Sequence, residues 1–136
     1  MAISISIPAR NAMLDALETY GGLAAKLEIR DGSVPASANA PRTGTVGVSM
    51  DLPSSWMADA ASGQKALSGT WEDPLANASI APATYFTIFR SDGTTVVMQG
   101  TVSATGGGGD LQLTTTTIVL NQPVTITAFT LTAGNP

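Results

Sequence analysis

Ser62-Gly63-Gln64-Lys65 is the one place in this chain where spacing alone could make a nucleophile. A serine that starts a helix, with a lysine one turn on, can pass its proton to the amine and attack an acyl group. The companion motifs of such a site are missing, and 136 residues are too few to build the enzyme around it. The spacing is read as coincidence. Ten carboxylates remain for acid–base work: Asp15, Glu18, Glu28, Asp31, Asp51, Asp59, Glu72, Asp73, Asp92 and Asp110. Only Glu72 and Asp73 are adjacent, and neighbours on a strand point to opposite faces, so no paired acid and nucleophile is predicted. The run Gly106 to Gly109 is not followed by the Gly-Lys-Ser/Thr of a phosphate loop, and Asp110 comes one residue too early for a calcium-binding glycine repeat. A flexible connection is expected there.

The chain has no histidine and no cysteine. Imidazole catalysis, thiolate ligands and disulfides are therefore outside its vocabulary. No catalytic residue, no cofactor, no cofactor-binding residue and no metal site is predicted, and enzymatic activity is not expected. Trp56 and Trp71 are the most informative of the other side chains. Each sits beside loop-forming residues, and three readings stand open: plugs at the ends of a core, hot spots of a protein interface, or a platform for sugar rings.

Composition narrows the partners. Charged residues make up 12% of the chain and its net charge is −4. The six basic residues, Arg10, Lys26, Arg30, Arg42, Lys65 and Arg90, are scattered singly. Nucleic-acid binding relies on clustered cations that neutralise phosphates, so direct nucleic-acid binding is not expected. No stretch approaches the roughly 18 apolar residues that span a bilayer, and no membrane association is expected. The start, Met1 to Ile7, lacks the basic region of a signal peptide. With 43% hydrophobic residues and a mean hydropathy of +0.21, the chain has enough apolar sequence for a core. Its surface must be covered by Thr, Ser, Asn, Gln and Gly. So little charge fits a chain that lives packed in an assembly.

The elements that must position these residues follow from periodicity. Pro8 suits a first helical turn, and Met13, Leu14, Leu17 and Tyr20 recur at three- and four-residue spacing, which predicts a helix over about 8–20 burying that stripe. Gly21-Gly22 ends it. Residues 1–7 form an N-terminal arm in which Ile3, Ile5 and Ile7 alternate with serine. That pattern suits either a first strand of the same domain or a strand added to a neighbour's sheet.

Period two then takes over. Lys26 to Arg30 and Thr45 to Leu52 read as half-buried strands, joined by an exposed, mobile loop over Gly32 to Thr43. Between Pro53 and Pro82 a short helix capped by Ser54 or Ser55 and a strand over Lys65 to Trp71 are expected. Asp92-Gly93 predicts a tight hairpin from Tyr85 to Val102, pairing Phe89 with Val96, Thr87 with Met98 and Tyr85 with Gly100. Apolar residues on both its faces call for a central or interface-covered position rather than an exposed edge. Further strands are expected at Leu111–Thr114, Thr117–Leu120 and Val124–Thr132, the last with a bulge, a change of sheet or burial on both sides near Ala128. The whole chain, 1–136, reads as one mainly β domain: an antiparallel β-sandwich, jelly-roll or immunoglobulin-like, of about eight strands with one N-terminal helix.

Five segments carry a family likeness: Ala9 to Leu17; Leu52 to Met57; Lys65 to Trp71; Ser91 to Thr95 leading to Met98–Val102; and Thr127 to Asn135. They are similar to small virion structural proteins of tailed bacteriophages. The resemblance brings no catalytic residue. It implies a structural component of the particle, made in the bacterial host cytoplasm and located in the virion. A capsid decoration or cement protein comes first; a tail, neck or fibre-attachment subunit is the alternative, and a carbohydrate-binding adsorption module a further one. The partners implied are the major capsid protein or other virion proteins, and a homo-oligomer is expected. Ile3, Ile5, Ile7, Trp56, Met57 and Trp71 are the candidate interface residues.

Overall fold

The structure, a computed structural model, describes residues 3–133. Residues 1 and 2 of the expected arm, and 134–136 at the end of the expected domain, lie outside the described residues. One helix, α1 (Ile7–Gly21), precedes eight strands: β1 (Lys26–Arg30), β2 (Val46–Asp51), β3 (Gln64–Ala66), β4 (Glu72–Asp73), β5 (Tyr85–Phe89), β6 (Val96–Ala104), β7 (Leu111–Leu113) and β8 (Val124–Thr132). The mainly β class, the strand count and the N-terminal helix are as the sequence predicts.

The strands form one sheet in the order β2-β1-β5-β6-β7-β8-β3, with β4 also paired to β8. The expectation of purely antiparallel pairing needs correcting, because β6 and β7 run parallel. The glycine run makes this possible. Residues 105–109 fold back over β6, where Gly109 N–H donates to Ser103 Oγ (2.9 Å) before β7 sets off alongside Val102 to Ala104. A Cβ on Gly109 would lie 2.6 Å from the backbone nitrogen of Ser103. The segment expected to be a flexible connection is thus a tight return that only bare glycine can make.

Aromatic packing shows how the sheet curls. Phe86 of β5 meets Phe129 of β8 edge-on at 5.4 Å, although two strands separate them in the sheet. Trp71 touches Phe129, and Trp56 lies 6.1 Å from Trp71. These rings, with Leu27, Ile29, Val48, Ile88, Leu111 and Leu113, fill one core in a sandwich-like arrangement. The two ends of the curl, β2 and β4, are not joined by a ladder. Instead the buried Asp73 carboxylate accepts from Ser49 N–H (3.1 Å) across the seam and from Leu75 N–H (3.0 Å) on its own side. Asn77 N–H donates to Gly47 O (2.8 Å) beside it. Glu72, next along, points outward, as the alternation on a strand requires.

The hairpin β5–β6 is central, and every residue of β5 is buried. Phe89 pairs with Val96 as expected, but an irregularity beside that pair shifts the rest by one residue. Phe86, not Tyr85, consequently lies opposite Gly100, and a Cβ there would sit 2.7 Å from the Phe86 ring. The outer face of β5 is covered by the loop expected to be mobile. Arg42 donates to Thr87 Oγ1 (2.8 Å), Gln99 Oε1 (2.8 Å) and Ala40 O (2.6 Å), and Tyr85 Oη donates to Thr43 O (2.6 Å). The loop is stitched down because Thr87 and Gln99 would otherwise be stranded polar groups under it.

In the 53–82 region no helix forms, and the expected strand from Lys65 to Trp71 shrinks to β3. Thr117–Leu120 contributes only an isolated bridge between Ile118 and Ile80. The irregularity expected near Ala128 is present: Gln112 pairs with Ala128 but Leu113 with Ile126, leaving Thr127 bulged.

Because one carboxylate ties the seam, Asp73→Ala should be far costlier than a surface change. Losing two hydrogen bonds to a charged acceptor predicts a destabilisation of about 2–4 kcal/mol. Urea unfolding should show this as a lower midpoint at unchanged slope.

Candidate interaction surface

Helix α1 begins at Ser6, whose hydroxyl accepts from Ala9 N–H (3.3 Å), with Pro8 in the first turn. It ends at Gly22, which takes φ 76° while its N–H closes on Glu18 O (3.0 Å). The expected apolar stripe is only partly buried. Leu14 is buried and Leu17 half-buried, but Met13 and Tyr20 stand exposed. A polar stripe docks the helix instead. Asn11, Asp15 and Glu18 lie on one face at i, i+4 and i+7, and each accepts a backbone N–H from one passing segment. Gly63 N–H donates to Asn11 Oδ1 (2.9 Å), Ala60 N–H to Asp15 Oδ1 (3.1 Å) and Met57 N–H to Glu18 Oε2 (2.8 Å).

Lys65 of β3 completes this contact from below. Its side chain is 1% exposed, and its ammonium reaches Asp15 Oδ1 (2.6 Å), Glu18 Oε1 (3.1 Å) and Ala58 O (2.9 Å). Three donors meet three acceptors, which is what a buried ammonium needs. Burial is the largest single influence on Lys65 and would lower its pKa. The hydrogen bonds and charges of Asp15 and Glu18 together outweigh it and hold the ammonium above its ordinary 10.5. Asp15 is pulled below its ordinary 3.8, first by the Lys65 hydrogen bond and then by Ala60 N–H. The serine–lysine spacing is therefore structural: Ser62 sits in a turn at φ 54°, and Lys65 spends its ammonium on the helix.

With its three charged residues Arg10, Asp15 and Glu18 engaged on the protein side, α1 turns Ala9, Ala12, Met13, Ala16, Thr19 and Tyr20 to the outside. Ile3 in the arm, which forms no strand over residues 3–6, Ile7 at the first helical position and Leu23 after the helix are also exposed. Arg90 lies over the Tyr20 ring at 5.0 Å, at the rim of this face. A second exposed apolar group, Leu75, Val119 and Leu120, lies where residues 75–80 and 118–122 are bonded together.

Of the candidate interface residues, then, Ile3 and Ile7 are exposed and Ile5 is half-buried. Trp56 and Trp71 have no exposed surface and Met57 only 2%, so these three are core and present nothing to a partner. The indole N–H groups explain why loop-flanked tryptophans go inside. Trp56 Nε1 donates to Gly22 O (3.2 Å) and Trp71 Nε1 to Trp56 O (3.0 Å), so each ring is buried with its polar atom satisfied. The residues the sequence reading missed are Met13, Tyr20 and Leu23. Their signal was the spacing of Asn11, Asp15 and Glu18, which marks the opposite face as the docked one.

Two concavities flank α1. One, of about 440 Å³, is open at the helix C-terminus between Glu18, Leu23 and Ser54. The other, of about 370 Å³, lies between Leu17, Met98, Leu131 and Asp110, with Phe86 and Phe129 in its floor. Their only carboxylates, Glu18 and Asp110, already accept hydrogen bonds from Met57 and Thr101. Among the described residues no group of three or more potential ligands is placed to hold a metal ion. Comparison with protein-family models, with curated proteins and with solved structures returns no match.

The Lys65 contact sets the pH response. Asp15 is depressed and Lys65 raised, and the exposed Asp92, held by Thr95 and Thr94, is depressed to about 2. Carboxylates lowered in the fold give stability that is present above their unfolded pKa and lost as pH falls through the folded one. A raised lysine gives stability present below its unfolded pKa and lost as pH rises through the folded one. Thermal stability should form a plateau between about pH 5 and pH 10, falling on both sides. Lys65→Met should lower Tm at neutral pH by roughly 6–10 °C, about 2 kcal/mol, and flatten both limbs, as calorimetry across pH can read.

Proposed function

We propose that this chain is a non-enzymatic structural subunit of a tailed-phage particle, most simply a capsid decoration or cement protein that works through protein–protein contacts. The observation that carries the reading is the allocation of side chains around α1. Every charge of the helix is bonded to the protein beneath it, Asp15 keeping 49% of its side chain exposed at the flank, and the face around Met13 and Tyr20 carries no charge. Contiguous exposed apolar surface of this kind marks a contact site. The likeness of five sequence segments to small virion proteins supplies the particle, and the major capsid protein or another virion protein supplies the partner. A glycan-binding reading rested on aromatic rings at the surface, and Trp56 and Trp71 are both enclosed.

Cryo-electron microscopy of the particle tests this by position and copy number. Density for this fold on the shell in hundreds of copies is the expected result; six or twelve copies would assign it to the neck or tail. Particles lacking the protein should assemble and then release DNA at a lower temperature. Absence of the fold from the particle, with unchanged thermal release, would overturn the proposal.

A further inference from the structure

A surface helix normally turns its charges to water and its apolar side chains to the core. In α1 this is reversed. Arg10, Asp15 and Glu18 are spent on Ala133 O, Ala60 N–H, Met57 N–H and the Lys65 ammonium. The outer face between Ala9 and Tyr20 holds three alanines, Met13, Thr19 and Tyr20. We propose that a second copy of this chain covers that face, the two α1 helices packing antiparallel about a twofold axis. This deepens and rests on the structural reading above: α1 joins the copies to one another, and the shell is met by other surface of the dimer, such as the exposed Leu75, Val119 and Leu120.

Three observations select a second copy. The first is area. Met13 and Tyr20 on the helix, with Ile3 and Leu23 beyond its two ends, are 55%, 51%, 77% and 72% exposed. At about 200 Å² for a fully exposed large side chain they offer roughly 500 Å², over half of the ~800 Å² per partner that a stable interface needs. The alanines add to it. The second is charge. Each chain carries a net −4, so two copies repel over much of their surface, yet this face brings no charge against its own image. Arg90 stays at the rim, stacked on Tyr20.

The third is shape. In a twofold contact, residue i of one copy meets j of the other and j meets i. An antiparallel pairing that sets Met13 opposite Ala16 also sets Tyr20 opposite Ala9, because both pairs share one centre. Each large side chain then faces a small one, and the alanines let the axes approach to about 8 Å. A parallel twofold would set Met13 against Met13 and Tyr20 against Tyr20.

Sedimentation velocity on the full chain should report a dimer at micromolar concentration. Ala16→Arg, and independently Ala12→Glu, place a charge on the face at exposed positions. Either should raise the dissociation constant roughly a hundredfold or more, with far-UV dichroism unchanged and with Tm lowered to a value that no longer depends on protein concentration. A monomeric wild-type chain, or a dimer indifferent to both variants, would overturn the pairing. The natural chain has no cysteine, so introduced thiols report geometry. A mixture of Met13→Cys and Ala16→Cys chains should form the mixed disulfide on mild oxidation, whereas preferential self-linking of Met13→Cys chains would overturn the antiparallel arrangement. The particle experiment is independent. A monomeric chain present on the shell defeats the pairing alone, and a dimeric chain absent from the particle upholds the pairing and defeats the structural role.

Discussion

An ammonium group taken out of water must find acceptors for all three of its protons, and Lys65 finds them in Asp15, Glu18 and the carbonyl of Ala58. Two of those acceptors belong to α1, so the helix can sit in only one place. Replacing a buried ion pair with apolar groups is often neutral for stability, whereas leaving one partner alone is costly. The contact therefore works as a lock on position. The same helix face takes up the N–H groups of Met57, Ala60 and Gly63, donors of a segment that has no strand beside it there. Side-chain oxygens on a helix thus do the work of a neighbouring strand, covering a sheet margin that would otherwise offer itself for pairing.

This use of charge runs through the molecule. Lys26 pairs with Asp51, Arg30 with Glu28 and Lys65 with Asp15 and Glu18. Arg42 gathers the loop over β5, Arg10 reaches Ala133 O and Arg90 rests on Tyr20. All six basic residues are engaged with another part of the same chain. The exposed charge is then mostly carboxylate, at Asp51, Asp59, Glu72, Asp92 and Asp110, set among hydroxyls, amides and small or apolar side chains.

What the sequence disclosed and what it hid separate along a physical line. Period-two alternation located β1 and β2, the Asp92-Gly93 turn located the central hairpin, and the change of face near Ala128 located a bulge, because each is a local backbone matter. Whatever depended on a distant partner was misread. The helix stripe of Met13, Leu14, Leu17 and Tyr20 looked like a docking face, but Lys65, some fifty residues on, reoriented the helix by about a quarter turn toward its carboxylates. The loop over Gly32 to Thr43 looked mobile because nothing in it announces that Arg42 will bond Thr87 and Gln99. For Trp56 and Trp71 the sequence left core plug, interface and sugar platform open, and their burial selects the core plug; Met57, grouped with them as a candidate interface residue, is core as well. In the candidate surface, Ile3 and Ile7 were legible and Met13, Tyr20 and Leu23 were not.

The helix also answers a gap in the sheet. With three residues, β7 is too short to cover nine-residue β6 and β8 along their length, so Val96–Thr101 and Thr130–Thr132 each have a strand on one side only. Leu17 reaches into the space between them, above Phe86 and Phe129. A helix held there by apolar contact alone would have had to turn Met13 and Tyr20 inward and its carboxylates out to water. Held by Lys65 and three backbone donors, it stays in place while keeping those side chains free. Rigidity on the inside and an uncharged face on the outside are thus two results of one allocation, and a contact surface needs both: a face that is sticky but loosely held would lose in ordering entropy what it gained in burial.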